Sequence, residues 1–251
     1  MKFAIIGGTN IETLPIPYHE QAVSTPYGDV VVFRATLDGH EFIFLSRHGV
    51  LYSFDPGQIN YRANIYALHS LGVTNVIGIT SVGTCDYTHK LGSLCLLADF
   101  IDFTKTRSAS FEREHRLTLH TGMEQVFSTT LNDTLEALIL ERGIPYAGRV
   151  TYAATEGPRF ETAAEVRVLR MLGAQVIGMT IVPEAPLARD LDMRYAAIGI
   201  IANYGTGMTG EVTDCGIDGV MAAHRDEVFG LCFDLIRRLG TTNWSGQHSA
   251  G

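Results

Sequence analysis

The sequence repeats one pattern, in which a short apolar run, often rich in β-branched residues, ends at a polar or glycine-rich segment. Six such runs are KFAII before GGTN, EFIFLS before RHG, NVIGIT before SVGT, RVTYAAT before EGPRFE, QVIGM before TIVPE, and AAIGIIA before NYG. Near-continuous apolar runs of this length are typical of strands covered on both faces, as in a largely parallel sheet. The runs therefore predict six strands of a buried sheet.

Four other stretches have the apolar spacing of helices. They are QINYRANIYALHSLG, TTLNDTLEALILERG and ETAAEVRVLRMLG, each with a terminal glycine, and DGVMAAHRDEVFGLCFDLIRRL near the end. Glycine after the last apolar residue is a helix stop signal. Strands that alternate with helices predict an α/β fold. We expect one domain over residues 1–240, with a central, twisted, largely parallel mixed β-sheet flanked by helices, and a frayed tail over residues 241–251.

Composition argues against several classes of protein. The 251 residues are 46% hydrophobic, which is enough to bury a sizeable core. The net charge of -8 and the lack of a basic run argue against nucleic acid as a partner. No segment approaches about 18 uninterrupted apolar residues, so we expect no membrane span. The four cysteines form no C-x-x-C pair, which favours free thiols in a reducing cytoplasm over disulfides or a zinc site.

The polar segments after the six runs carry the residues that could bind a ligand or take part in catalysis. In open α/β sheets, ligands bind at the carboxyl ends of the strands, where loops converge and helix N-termini point inward. If the sheet is mostly parallel, that end would present Thr9, Arg47, His48, Thr80, Ser81, Glu156, Arg159, Glu161, Met179, Thr180, Glu184 and Asn203. Hydroxyls beside Arg and His after glycine turns suit an anion, because a guanidinium can bind two oxygens at once. Glu and Asn suit a neutral ligand that offers both donors and acceptors.

No single segment is decisive. GGTN is neither a dinucleotide-binding fingerprint nor a P-loop, and a Gly-Gly turn after a first strand is more often structural. EGPRFET alone can be a rigid turn before a helix, and Met179 is on base rates a core residue. Asn203, followed by Tyr204 and Gly205, could be turn chemistry. The six segments together are far less expected by chance, and they favour an anion site beside a site for a neutral polar ligand.

The sequence resembles the trimeric purine nucleoside phosphorylases, in particular the branch that contains 5'-methylthioadenosine phosphorylase. The matching stretches are AIIGGT, LSRHG, INYRANIYAL, TSVG, EGPRFET and GMTIVPEAPLAR, which follow one another in order through most of the chain. The resemblance implies a pentosyltransferase that uses inorganic phosphate to cleave the N-glycosidic bond of a purine nucleoside, without a cofactor or a metal. It also implies a homotrimer, or a hexamer, as the assembly.

The resemblance implies roles for positions that the strand pattern had grouped. The phosphate site would comprise Thr9, Arg47, His48, Thr80, Ser81 and Thr180. Sugar and base contacts would come from Tyr61, Phe160, Glu161, Met179 and Asn203, together with His120 of a neighbouring subunit. His48, Glu161 and Asn203 would be the catalytic residues. An Asn203 N–H aimed at N7 would strengthen its bond as negative charge builds on the departing purine, and it would therefore favour the transition state.

The base is expected to be a 6-oxopurine. The methylthioadenosine branch has an aspartate in place of Asn203 and a small hydroxyl residue in place of Glu161, whereas the inosine- and guanosine-cleaving branch has Asn and Glu. A 6-oxopurine offers O6 and N7 as acceptors and N1–H as a donor, which match an amide N–H and a carboxylate. Adenine reverses this pattern at position 6 and at N1, and the mismatch leaves buried groups unpaired.

The 5' end of the sugar has two possible alignments. GIDGVM places Ile217 and Met221 there, which favours a methylthio group, whereas AAHRDEV offers His224, which favours a hydroxyl. Spacing from Asn203 favours the first alignment and 5'-methylthioinosine, with inosine and guanosine close behind. Three alternatives stay open: a methylthioadenosine phosphorylase with an unusual Asn203, a hydrolase that needs no phosphate, and a nucleotide-binding module suggested by AIIGG.

Overall fold

The structure is a computed structural model that describes residues 1–49, 53–210 and 212–240, so the tail predicted over residues 241–251 lies outside the described residues. The strands in these ranges are β1 (Phe3–Gly7), β2 (Tyr18–Thr25), β3 (Gly28–Leu37), β4 (His40–Ser46), β5 (Asn75–Thr84), β6 (Leu94–Asp102), β7 (Tyr146–Ala154), β8 (Val176–Gly178) and β9 (Arg194–Tyr204). The helices are α1 (Tyr61–Ser70), α2 (Thr129–Glu141), α3 (Ala163–Met171), α4 (Ile181–Asp190) and α5 (Asp214–Gly240).

The six predicted strands correspond to β1, β4, β5, β7, β8 and β9, and the four predicted helices to α1, α2, α3 and α5. The apolar runs did not predict β2, β3, β6 or α4. Strand β2 has mostly exposed residues, and the second half of β6 is exposed or half-buried. Helix α4 contains Pro183 and Pro186 and is kinked at Val182, whose φ of -105° and ψ of 125° are extended. Proline inside a helical stretch removes a backbone donor, and for that reason sequence patterns argue against a helix there.

The strands form one mixed sheet in the order β2-β3-β4-β1-β5-β8-β7-β6-β9, and β9 returns to pair with β5. Strands β1, β4, β5 and β9 are mutually parallel through three pairings, and β6, β7 and β8 are parallel through two more. The β5–β8 and β6–β9 pairings are antiparallel, as are those of β2 and β3 with their neighbours. The α/β fold with a mixed sheet is therefore confirmed, with two oppositely directed parallel groups.

Side chains of the parallel strands alternate between two cores. On β1, Ala4 and Ile6 pack into a core with α1 and α4, while Phe3 and Ile5 pack into a second core with α2 and α5. A strand directs successive side chains to opposite faces of its sheet, so a strand covered on both faces must be apolar at every position. This explains why the central runs of the sequence are continuously apolar.

The antiparallel pairing of β5 with β8 brings the predicted polar segments together from opposite directions. Gly83 of β5 pairs with Ile177 of β8, so the chain that leaves β8 returns along β5. The hydroxyl oxygens of Thr80 and Thr180 consequently lie 3.4 Å apart. The expectation that all six segments share one end of a parallel sheet needs correction, because the segments after β7 and β8 approach those after β1, β4, β5 and β9 from the other side.

Composition led us to expect free cysteines and no membrane-spanning segment. The four cysteines are free thiols, of which Cys85, Cys95 and Cys232 are buried and Cys215 is exposed. Across the part of the chain that the structure describes, no helix has both the length and the apolar character needed to cross a bilayer.

Candidate active site

A cavity of about 560 Å³ lies where the two groups of strands meet. Most of the predicted site residues border it. They are Thr9, Arg47, His48, Thr80, Ser81, Phe160, Glu161, Met179, Thr180, Asn203 and Ile217. Arg47 and Asn203, which the sequence separates by most of its length, thus face one cavity.

Arg47 is the buried charge at one end of the cavity. Its side chain is 0% exposed and forms an ion pair with the equally buried Glu184. Nε donates to Glu184 Oε1 at 2.6 Å and Nη2 donates to Oε2 at 3.0 Å, while Nη1 donates to the Ile79 carbonyl at 2.7 Å. The expectation that this guanidinium offers a bidentate face to a ligand anion needs correction, because that face is occupied by Glu184.

The Glu184 carboxylate has a third partner, since the Tyr195 hydroxyl donates to Oε2 at 2.5 Å. Burial alone would lower the pKa of Arg47, but the Glu184 charge more than offsets burial and raises that pKa, so the guanidinium stays charged. Burial, followed by the Glu184 charge, raises the pKa of Tyr195 well above its ordinary value. The three side chains therefore form a fixed network of one cation, one anion and one neutral hydroxyl.

Two glycines leave the space that this network occupies. A Cβ atom on Gly8 would lie 2.7 Å from Arg47 Nη1, and a Cβ on Gly78 would lie 2.2 Å from the Tyr195 hydroxyl. Both distances are shorter than van der Waals contact, and the neighbouring atoms are held by hydrogen bonds. The second glycine of GGTN is thus required for close approach of the backbone to the Arg47 side chain.

His48 is buried and neutral. Its Nδ1 lies 2.8 Å from the Phe54 carbonyl, which assigns the ring proton to Nδ1, because a carbonyl can only accept. Burial lowers the pKa of His48 to about 4; the Phe54 bond opposes this shift and the Arg47 charge adds to it. At neutral pH, therefore, His48 adds no positive charge to this end of the cavity.

Hydroxyl groups surround the same end. Thr80 and Thr180 are buried, and the Thr80 hydroxyl donates to the Ser81 carbonyl at 3.0 Å. The Thr180 backbone N–H donates to the Tyr152 hydroxyl at 3.1 Å, which holds the start of α4 against β7. Hydroxyls beside a buried guanidinium form a surface suited to a small oxyanion.

The opposite end of the cavity carries Phe160, Glu161 and Asn203. Glu161 Oε1 accepts from the Thr155 hydroxyl at 2.6 Å, which orients the carboxylate. The register of β5 against β9 shifts between Val82 and Gly83, so that β9 has one extra residue next to Asn203. Such bulges redirect a side chain. The Asn203 amide donates to the Tyr204 carbonyl at 2.9 Å.

The distance between the Arg47 end and the Asn203 end of the cavity can be estimated along strand β5. Arg47 contacts the carbonyl of Ile79, and Asn203 pairs with Gly83, four residues further along the strand. At about 3.3 Å per residue the two contact points are about 13 Å apart. The cavity can therefore place an anion at one end and a planar ring at the other.

Three predicted residues do not border the cavity. Tyr61 is buried, and its hydroxyl donates to the Pro56 carbonyl at 2.8 Å. Met221 lies in the core beneath α5, which corrects its predicted position at the 5' end of the sugar. His120, predicted to serve a neighbouring subunit, lies on an exposed segment between β6 and α2. The alternative candidate His224 also lies away from the cavity, with its Nδ1 2.9 Å from the Val220 carbonyl.

Sequence reasoning missed several residues at or near the cavity. The lining includes the carboxylates of Glu12, Asp55, Asp214 and Asp218. Asp218 accepts from the Asn10 amide at 2.8 Å, which joins the segment after β1 to the start of α5. These residues lie outside the six strand ends, and no motif marks them.

Comparison with known proteins places this geometry in a family. Residues 2–230 match the phosphorylase superfamily. A 6-oxopurine nucleoside phosphorylase from Pyrococcus furiosus is 41% identical over 84% of this chain and 82% of its own length. An S-methyl-5'-thioadenosine phosphorylase from Pyrococcus horikoshii is 40% identical over 81% of this chain and 79% of its own length. The chain belongs to the phosphorylase superfamily.

The fold is shared with solved structures of that family. A methylthioadenosine phosphorylase sourced from an Antarctic soil metagenomic library superposes with a TM-score of 0.88 at 27% identity, over 97% of this chain and 88% of that chain. A probable S-methyl-5'-thioinosine phosphorylase from Methanosarcina acetivorans is 35% identical over 96% of this chain and 92% of its own length. The relatives thus differ in the nucleosides that their names give.

The buried ion pair yields a stability prediction. Glu184→Gln keeps the shape of the side chain but leaves the Arg47 charge without its counter-ion, which should lower the free energy of unfolding by about 3–5 kcal/mol. Urea unfolding followed by circular dichroism measures the change. Glu141→Gln, which removes the carboxylate of the exposed Arg238 pair, is the matched control and should leave the unfolding midpoint nearly unchanged. Equal effects of the two substitutions would contradict the assigned importance of the buried pair.

His48 yields a pH prediction. The unfolded chain protonates this ring near pH 6.5, whereas burial lowers the pKa of His48 in the folded chain to about 4. Between these values the unfolded state binds more protons, so stability falls as the pH falls, by about 3 kcal/mol from this group in total. Urea unfolding at several pH values in this window measures the slope. His48→Gln, which cannot ionise, should flatten the curve, and a slope equal to that of the unsubstituted protein would disprove the contribution.

Proposed function

We propose that this protein is a purine nucleoside phosphorylase, a pentosyltransferase that cleaves the N-glycosidic bond of 6-oxopurine nucleosides with inorganic phosphate. The products are the free base and ribose-1-phosphate, or 5-methylthioribose-1-phosphate. One observation carries the proposal: a single cavity has hydroxyls and a guanidinium at one end and a carboxylate, an amide and an aromatic ring at the other. Phosphate is the co-substrate, and the proposal includes no cofactor or metal.

Phosphate occupies the end of the cavity that contains Arg47. The hydroxyls of Thr9, Ser81 and Thr180 donate to its oxygens, and the Thr80 hydroxyl lies 3.4 Å from that of Thr180 at the same end. The Arg47 guanidinium is paired with Glu184 and adds no net charge at this end, while neutral His48 can share a proton with the anion. Cleavage passes through an oxocarbenium-like sugar, so an anion held beside C1' both stabilises the cation and captures it.

The purine occupies the other end, against Phe160. Negative charge builds on the purine as the bond to the sugar breaks. An N–H of Asn203 directed at N7 strengthens its hydrogen bond as this charge develops, and the interaction therefore favours the transition state over the bound substrate. The amide does this without a change of protonation. Met179 borders the same cavity and contacts the sugar.

The pairing of Glu161 with Asn203 supports a 6-oxopurine. The Glu161 carboxylate, oriented by Thr155, accepts from N1–H, and Asn203 donates to the N7 and O6 side of the base. Adenine has an acceptor at N1 and a donor at position 6, so its binding would leave both protein groups without matched partners. The relative named as a 6-oxopurine nucleoside phosphorylase agrees with this choice.

The 5' end of the sugar faces Ile217. This residue borders the cavity, whereas His224 does not. An apolar side chain accommodates a methylthio group and offers no hydrogen bond to a hydroxyl. The proposal therefore ranks 5'-methylthioinosine first, followed by inosine and guanosine.

A cytoplasmic homotrimer, or a hexamer built from it, completes the proposal. His120 is exposed on a segment that also exposes Leu117, Leu119 and Met123. Exposed apolar side chains grouped on one segment are typical of a protein interface. Such an interface would let His120 contribute to the cavity of a neighbouring subunit.

A nucleoside panel tests the reaction. We expect base release from 5'-methylthioinosine, inosine and guanosine to require phosphate, and kcat/KM for methylthioadenosine to be at least about tenfold lower, since its hydrogen-bond pattern is mismatched. Release of base, followed by absorbance with and without phosphate, measures both effects. Equal turnover without phosphate would instead support a hydrolase, and dominant activity on methylthioadenosine would overturn the base assignment.

Substitution at Asn203 tests the base contact. Asn203→Asp replaces an N–H donor with an acceptor and should shift the ratio of kcat/KM for 6-aminopurine over 6-oxopurine nucleosides upward by about tenfold or more. Asn203→Leu is the matched control, because it removes the donor without adding a carboxylate and should lower activity on both classes without the shift. An unchanged ratio in the aspartate variant would count against direct contact with the base.

A further inference from the structure

Arg107 lies between β6 and α2 and does not border the cavity, yet its side chain is 2% exposed. Its Nη1 donates to the carbonyls of Met179 and Val182, the latter at 3.0 Å, and its Nη2 donates to the carbonyl of Glu156. Nη1 also lies 3.2 Å from the Tyr61 hydroxyl, and the guanidinium sits 5.4 Å from the centre of the Tyr61 ring. One guanidinium therefore binds three backbone carbonyls.

Those carbonyls belong to the two segments that build opposite ends of the cavity. Met179 and Val182 flank Thr180, in the segment that leaves β8 toward the hydroxyl end. Glu156 begins the segment after β7 that carries Phe160 and Glu161 at the other end. Backbone pairing between β7 and β8 ends at Ala154 and Gly178, and one further bond, from the Thr155 N–H to the Gly178 carbonyl at 2.9 Å, joins the segments where they begin. Arg107 is a direct bridge between them.

The segment that carries Arg107 is itself bound to Glu156. The backbone N–H of Lys105 and the hydroxyl of Thr106, the latter at 2.7 Å, donate to the Glu156 carboxylate. Glu156 Oε1 also lies 3.5 Å from Arg107 Nε. The guanidinium is therefore held in place while it holds the carbonyls. An arginine suits this position, since its planar group directs several donors in fixed directions and cannot lose its charge.

We propose that Arg107 is a positioning residue that fixes the distance between the base-binding segment and the phosphate-binding segment. The inference rests on the proposed function, in which a nucleoside must contact Phe160 and Glu161 while its sugar lies beside Met179 and the phosphate. Reaction rates depend steeply on such alignment, and a misplacement of about 1 Å can cost about 10²-fold. Arg107 thereby acts through the backbone of residues that line the cavity.

Arg107→Met tests this role, because methionine fills similar space but donates no hydrogen bond. We expect kcat to fall by at least about 30-fold, with KM for phosphate and nucleoside rising less. Arg107→Lys keeps the charge and can reach fewer carbonyls, so it should recover part of the lost rate. Arg142→Met is the matched control, because Arg142 also donates to a carbonyl, that of Gly230, but far from the cavity segments. The control should leave kcat unchanged.

Hydrogen exchange read by mass spectrometry provides the readout that does not depend on turnover. In Arg107→Met, peptides covering residues 155–161 and 178–184 should both exchange faster, whereas peptides from β1 and α5 should not. Thermal unfolding of all variants is measured alongside, and if the methionine variant does not fold, the lysine variant carries both comparisons.

The outcomes separate the two proposals. Absence of phosphorolysis in the unsubstituted protein would overturn the proposed function, while the exchange measurement would still decide whether Arg107 couples the segments. Kinetic constants within about twofold of the unsubstituted protein would overturn the positioning role, as would faster exchange in only one of the two segments. If Arg107→Met lowered kcat no more than Arg142→Met does, Arg107 would have only a stabilising role.

Discussion

The buried ion pair between Arg47 and Glu184 is the constraint on which the rest of the site depends. It ties the end of β4 to α4, and through Tyr195 and the Ile79 carbonyl it also ties both to β9 and β5. Two charges removed from water are tolerated only when nearly every donor and acceptor is matched. Glycine at positions 8 and 78 leaves the room that the Arg47 guanidinium and the Tyr195 hydroxyl need, because a Cβ atom there would lie 2.7 and 2.2 Å from them.

The closed arrangement of strands β5 to β9 explains why the cavity has two chemically different ends. Because β8 runs antiparallel to β5, Met179 and Thr180 return along β5 and face Thr80 and Ser81. A purely parallel sheet would place all loops at one edge, with no wall opposite them. Here the walls come from strands of opposite direction, and Arg107 fixes the spacing of the two segments that leave β7 and β8.

The sequence was most informative where burial forces a local pattern. Strands covered on both faces must be apolar throughout, so β5 and β9 were predictable, whereas β2 has one exposed face and gave no such run. The partner of Arg47 was not predictable, since Glu184 lies 137 residues away and only the fold brings them together. Met221 was misplaced for a simpler reason. Met221 follows Ile217 by four residues, which is about 6 Å along the helix, so Ile217 borders the cavity whereas Met221 lies in the core.

Charge balance shows what kind of anion site this cavity can be. Arg47 is neutralised by Glu184, His48 is uncharged, and the lining also contains carboxylates such as Asp55, Asp214 and Asp218. The cavity therefore has no excess of positive charge, and under the proposed function phosphate would be held by directed hydrogen bonds from hydroxyl groups. In such a site another carboxylate near the purine would oppose the negative charge that builds there. Under the proposed function, a neutral amide at position 203 would supply a donor without that repulsion, so the electrostatics of the whole cavity favour Asn203 as well as the base does.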